Sequence, residues 1–122
     1  MANSTTKILT IVSFLVLISQ GYSQCSLQDI TIVQRQSGVV RNQPKWNVTI
    51  SNRCICTQTD VKLNCTDFQT ILPIPTSILK VEGNVCTLND GNPVYSNTDI
   101  SFEYASSKSF PLNPISSQIN CS

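Results

Sequence analysis

From residue 45 to 52 the chain alternates apolar and polar side chains. Trp46, Val48 and Ile50 fall on one side, and Asn47, Thr49 and Ser51 on the other. A period of two marks a half-buried β-strand. Residues 59–65 repeat the pattern, with Val61, Leu63 and Cys65 inward and Asp60, Lys62 and Asn64 outward. Weaker versions occur at 29–34, where Ile30 and Ile32 oppose Thr31 and Val33, and at 78–82 and 85–88. Residues 98–104 put Ile100, Phe102 and Tyr104 on one face, and 115–121 turn Ile119 and Cys121 inward. No stretch after the first two dozen residues keeps a helical period. The pattern predicts an all-β fold: a small disulfide-stapled β-sandwich or barrel-like domain of about seven short strands.

Breakers divide these runs. Gly38 and Pro44 make residues 36–44 a predicted loop. Pro73 and Pro75 exclude 71–75 from any central strand. Residues 89–93, NDGNP, form a strong turn in which Asp90-Gly91 is a favoured hairpin pair. Residues 106–114 read as a loop carrying Phe110 and Leu112 between Ser, Lys and Pro.

The N-terminus has a different character. Lys7 precedes an unbroken apolar run over residues 8–18, followed by Ser19, Gly21 and Ser23. The run is too short to span a bilayer and fits the apolar centre of a secretory signal peptide. Small residues place the cut after Ser23, with Gly21 as the competing position. Residues 1–23 are thus a removable leader and 24–122 a single domain, with no membrane insertion expected of the mature chain.

All six cysteines lie in that domain: Cys25, Cys54, Cys56, Cys65, Cys86 and Cys121. An even count in a short secreted chain predicts three disulfides, with fifteen possible pairings. Antiparallel pairing of residues 29–34 with 45–51 would bring Cys25 beside Cys56. Cys54–Cys86 and Cys65–Cys121 are then the pairs expected among the other four, which allow three pairings.

Charge and composition mainly exclude. Seven basic and seven acidic side chains after residue 23 cancel, without a basic stripe for nucleic acid or anionic lipid. The chain has no His, which removes His-based nucleophilic catalysis and His-ligated metal sites. The cysteines lack paired C-x-x-C spacing, so disulfides are favoured over zinc. Asp99 and Glu103 stand four apart on one predicted strand, too far to act as a glycosidase pair without a third element. No catalytic, metal or cofactor residues are assigned. Three sequons remain, at Asn47, Asn64 and Asn120, each Asn on the predicted outer face of its strand.

Several stretches together resemble a family of small secreted plant proteins, the tapetum determinant family. They are Cys25 with Asp29, Ile30 and Gln34; Pro44-Lys45-Trp46; Asn52-Arg53-Cys54; Val61 through Phe68; Cys86 through Pro93; Phe102-Glu103-Tyr104-Ala105; and Cys121. The single residue between Cys54 and Cys56, and the position of Cys25 directly after the leader, mark a divergent branch. The resemblance implies a secreted, non-enzymatic signalling ligand of the apoplast. Its implied partner is a leucine-rich-repeat receptor kinase ectodomain, in cell-fate decisions of the anther. Tyr95 and Phe110, in loops, are the expected receptor contacts. The alternatives are a carbohydrate- or wall-binding module, which needs coplanar exposed aromatics, and a hydrolase inhibitor, which needs a rigid exposed loop held between cysteines.

Overall fold

A computed structural model describes residues 25–121. The leader and its cleavage site lie outside the described residues. Seven strands run in chain order: β1 (Ile30–Val40), β2 (Gln43–Asn52), β3 (Thr57–Asn64), β4 (Leu79–Glu82), β5 (Val85–Leu88), β6 (Asp99–Ala105) and β7 (Asn113–Asn120). They form two antiparallel sheets, one ordered β1-β2-β6 and the other β4-β5-β3-β7. This is the expected all-β sandwich.

In β2, β3 and β6 the inner faces follow the alternation, whereas Ile119 of β7 and Cys121 after it, both expected inward, are exposed. Val48 and Ile50 of β2, Val61 and Leu63 of β3, and Phe102 and Tyr104 of β6 are buried in one cluster with Ile30, Leu79, Leu88 and Val94. Burial on this scale, at roughly 25 cal/mol per Å² of apolar surface, is the main driving term for a domain of this size. Trp46 packs against the cluster at its edge, half-buried, with its Nε1 enclosed and unpaired.

A bulge explains one apparent conflict of phase. Gln58 and Val61 are three apart, yet both are fully buried. Asp60 takes a positive φ of 53°, and the β3–β7 register slips between Thr59 and Lys62. The extra residue turns the strand over, so both side chains point inward.

Two expected loops differ from the structure. Residues 36–44 are strand, not loop: β1 and β2 continue as a hairpin to a two-residue turn at Arg41 and Asn42. Both turn residues have positive φ, 49° and 64°, as a primed hairpin turn requires. A bulge between Gln36 and Gly38 absorbs the register shift. Residues 89–91 do turn, with left-handed Asn89, Asp90 and Gly91. They close no hairpin, because the chain there leaves one sheet (β5) for the other (β6).

The segment 106–112 is anchored inward. Phe110 is only 4% exposed and packs edge-on against Phe68. Its backbone is held from both sides: its N–H donates to the Tyr104 hydroxyl and its carbonyl accepts from Gln34 Nε2. Burial pushes the Tyr104 hydroxyl above its ordinary pKa, with the bond from the Phe110 N–H acting in the opposite direction.

Candidate recognition surface

Three bridges close the domain: Cys25–Cys54, Cys56–Cys121 and Cys65–Cys86. The expected pairings Cys25–Cys56, Cys54–Cys86 and Cys65–Cys121 are all corrected. Residues 27–29 form a 3-10 turn ahead of β1, capped by Ser26 and Asp29, and Cys25 bonds to Cys54 although its sulfur also lies within 4.8 Å of that of Cys56. Thr57 lies opposite Asn120, and one step further along that register brings Cys56 to Cys121. On the β3–β5 pair, Leu63 faces Cys86, which places Cys86 one diagonal step from Cys65.

Two of these bridges flank a single residue. Cys54 and Cys56 are each tied to another part of the chain, and Ile55 between them is 80% exposed. A shallow depression of about 330 Å³ next to it is lined by Ile55, Thr57, Tyr95, Ser96 and the Cys56–Cys121 bridge. Tyr95 is 61% exposed. An apolar side chain and an aromatic ring therefore stand out from the end of the sandwich on a cross-linked base.

A buried amide sets the spacing of the two. Asn52, the last residue of β2, is fully buried and donates from Nδ2 to the carbonyls of Cys56 (2.8 Å) and Val94 (2.9 Å). Its Oδ1 accepts from Cys54 N–H at 3.0 Å and from Gln58 Nε2 at 3.3 Å. Gln58 and Val94 also exchange backbone bonds. One side chain thus holds the residues on both sides of Ile55 and the residue preceding Tyr95. A buried amide so fully partnered fixes geometry, since any shift leaves a desolvated polar group without its bond.

The residues singled out in the sequence separate here. Tyr95 is exposed as expected, whereas Phe110 belongs to the core and is no surface anchor. Asn47 lies on the outer face of the three-stranded sheet, Asn64 at the end of β3, and Asn120 beside the Ile55 depression. Asp99 and Glu103 form no pair. Asp99 accepts a hydrogen bond from Ser51 Oγ, Glu103 pairs with Lys45 at 2.9 Å, and the two stand four positions apart along β6, about 13 Å. Sulfur clusters of metal-binding size, such as Cys25, Cys56 and Cys121, consist of bridged sulfurs, which offer no thiolate. Among the described aromatic residues only Tyr95 is exposed, which gives no flat platform for a polysaccharide. Among the described residues no helix is long and apolar enough to cross a membrane.

Ile55 and Asn52 were missed in the sequence. The signal for Ile55 was present in the spacing. A residue flanked by two half-cystines that both turn into the domain has little choice but to point out.

Residues 26–122 match the family model described as tapetum determinant 1, C-terminal. The chain belongs to the tapetum determinant family. The Arabidopsis thaliana protein named TPD1 protein homolog 1 is 30% identical over 93 residues, covering 73% of this chain and 52% of that protein. An uncharacterized protein of the same plant is 31% identical over 84 residues, 66% of either chain. The chain spans about half the length of the first relative and about two-thirds of the second. No solved structure matches it.

Proposed function

We infer that this tapetum determinant family member is a secreted, non-enzymatic signalling ligand of the plant extracellular space. Its receptor is the ectodomain of a leucine-rich-repeat receptor kinase, and its setting is cell-fate specification in the anther or another reproductive tissue. Family membership over residues 26–122 carries this reading. Three disulfides in a small β-domain support an oxidising, extracellular setting. Ile55 and Tyr95 supply what a repeat receptor's concave face would grip: an aromatic and an aliphatic anchor, held rigid before binding.

Direct binding of the oxidised protein to a panel of leucine-rich-repeat ectodomains tests the reading. At least one should bind at micromolar strength or tighter, and Tyr95→Ala should weaken it about tenfold or more. Absence of micromolar binding across the panel would overturn the receptor assignment.

A further inference from the structure

The outer face of the three-stranded sheet carries a second shallow depression, of about 350 Å³. Val33 and Arg35 of β1, Thr49 of β2, Arg53, and Asp99 of β6 line it together with Asn47. Asn47 occupies the central strand, opposite Arg35 on one side and Glu103 on the other. Its Oδ1 accepts from Thr49 Oγ1 at 3.4 Å, while its Nδ2 has no hydrogen-bond partner among the described residues. Thr49 is the third residue of the sequon, so the atom to which a glycan would be joined is the one left open. Val33 sits opposite Thr49, one diagonal step from Asn47, and is 48% exposed on an otherwise polar face.

We propose that Asn47 carries an N-linked glycan whose first N-acetylglucosamine seats in this depression. In the secretory lumen Asn47 Nδ2 attacks the anomeric carbon of a lipid-diphosphate-linked oligosaccharide. The nitrogen–carbon bond forms, the carbon–oxygen bond to phosphate breaks, the lipid diphosphate leaves with that electron pair, and the amide loses one proton. The chain then folds with the sugar on β2. The apolar face of the ring covers Val33, removing its surface from water. Arg35 and Arg53 donate to the ring substituents, and the Asp99 carboxylate accepts from them. The sugar becomes part of the sheet's outer layer. It also keeps a protein partner off that face.

The test uses the full chain secreted from plant cells grown with a mannosidase inhibitor, so that endoglycosidase H trims each glycan to one N-acetylglucosamine. Glycopeptide mass spectrometry should find Asn47 occupied. Trimmed Thr49→Ser, which keeps the sequon, should melt about 4 °C or more above trimmed Thr49→Ala, which destroys it. Val33→Ser should abolish that difference. Where Thr49→Ala is not secreted, the wild-type protein stripped with a peptide N-glycosidase replaces it in the comparison. An unmodified Asn47, equal melting of the two forms, or a difference that survives Val33→Ser would each overturn the proposal.

Discussion

The Tyr104 hydroxyl donates to Gln34 Oε1 at 2.6 Å, joining β6 to β1 across β2 beneath the segment that leads into β7. Gln34 Nε2 and the Tyr104 oxygen in turn bind the carbonyl and N–H of Phe110. The three residues close a ring in which each polar group satisfies another. Tyr104→Phe keeps the aromatic packing with Phe68 and Phe110 but leaves Gln34 Oε1 and the Phe110 N–H unpaired. An expected loss of about 1–3 kcal/mol should appear as a lower urea midpoint at unchanged slope. Gln34→Leu should cost a similar amount. The double variant should cost less than the two together, because the second substitution removes groups already orphaned. Additive losses would show that the ring does not act as a unit.

The same hydroxyl gives the domain an alkaline limit. Burial raises the Tyr104 pKa in the folded protein, whereas the unfolded chain titrates near about 10. Above that pH the unfolded state has lost a proton that the folded state still holds, so stability falls as pH rises. The contribution is complete below the unfolded pKa and is lost as pH climbs through the raised folded value. Urea midpoints measured across this range with the disulfides intact should fall for the wild type. They should fall less steeply for Tyr104→Phe.

Much of the fold was legible because the alternation was clean where the strands are buried. Val48, Ile50, Val61 and Leu63 all face the core as their period requires. The distal half of the first hairpin was not legible. Gln36, Ser37 and Val39 are exposed, so no alternation marks them, and Arg41-Asn42 is a weaker turn signal than Asn-Gly. Phe110 was misplaced for a related reason. A polar segment running into Pro111 reads as surface, and only tertiary bonds to Gln34 and Tyr104 draw it inward. The Asn47 sequon was legible, but the neighbourhood of Val33 and Arg53 around Asn47 depends on strand register. Asn52 resembled an ordinary strand-end residue until both carbonyls it binds were in place.

The sulfurs of Cys25, Cys56 and Cys121 all lie within 4.8 Å of one another. Sequence placed Cys25 in the right neighbourhood and with the wrong partner. The same proximity bears on oxidative folding, because thiol–disulfide exchange needs only sulfur-to-sulfur approach by a thiolate. Refolding from the reduced chain should transiently accumulate a form containing Cys25–Cys56; attack by the Cys54 thiolate then gives Cys25–Cys54 and releases Cys56, which the refolding oxidant joins to Cys121. Acid-quenched peptide mapping at successive times checks this. Cys65–Cys86 is fully buried at both ends and should be the last bridge opened by limited reductant in the native protein. Its earlier loss would contradict the burial argument.

Exposure and rigidity make opposite demands at the Ile55 end, and they can be tested apart. Ile55 projects into solvent, so Ile55→Ser should change stability by no more than about 0.5 kcal/mol. Ile50, fully buried in the same strand that leads to it, should cost about 2–5 kcal/mol as Ile50→Ala. Asn52 behaves differently from both. Asn52→Ala strips four hydrogen bonds from the segments carrying Ile55 and Tyr95. It should destabilise the fold by several kcal/mol and speed hydrogen exchange at the Cys54 amide, which bonds to the Asn52 side chain. If Ile55 and Tyr95 grip a receptor, Ile55→Ser should weaken binding at unchanged melting temperature. Asn52→Ala should weaken it by loosening the anchors, even at temperatures where the chain remains folded. Binding untouched by Ile55→Ser and Tyr95→Ala together would move recognition to another face.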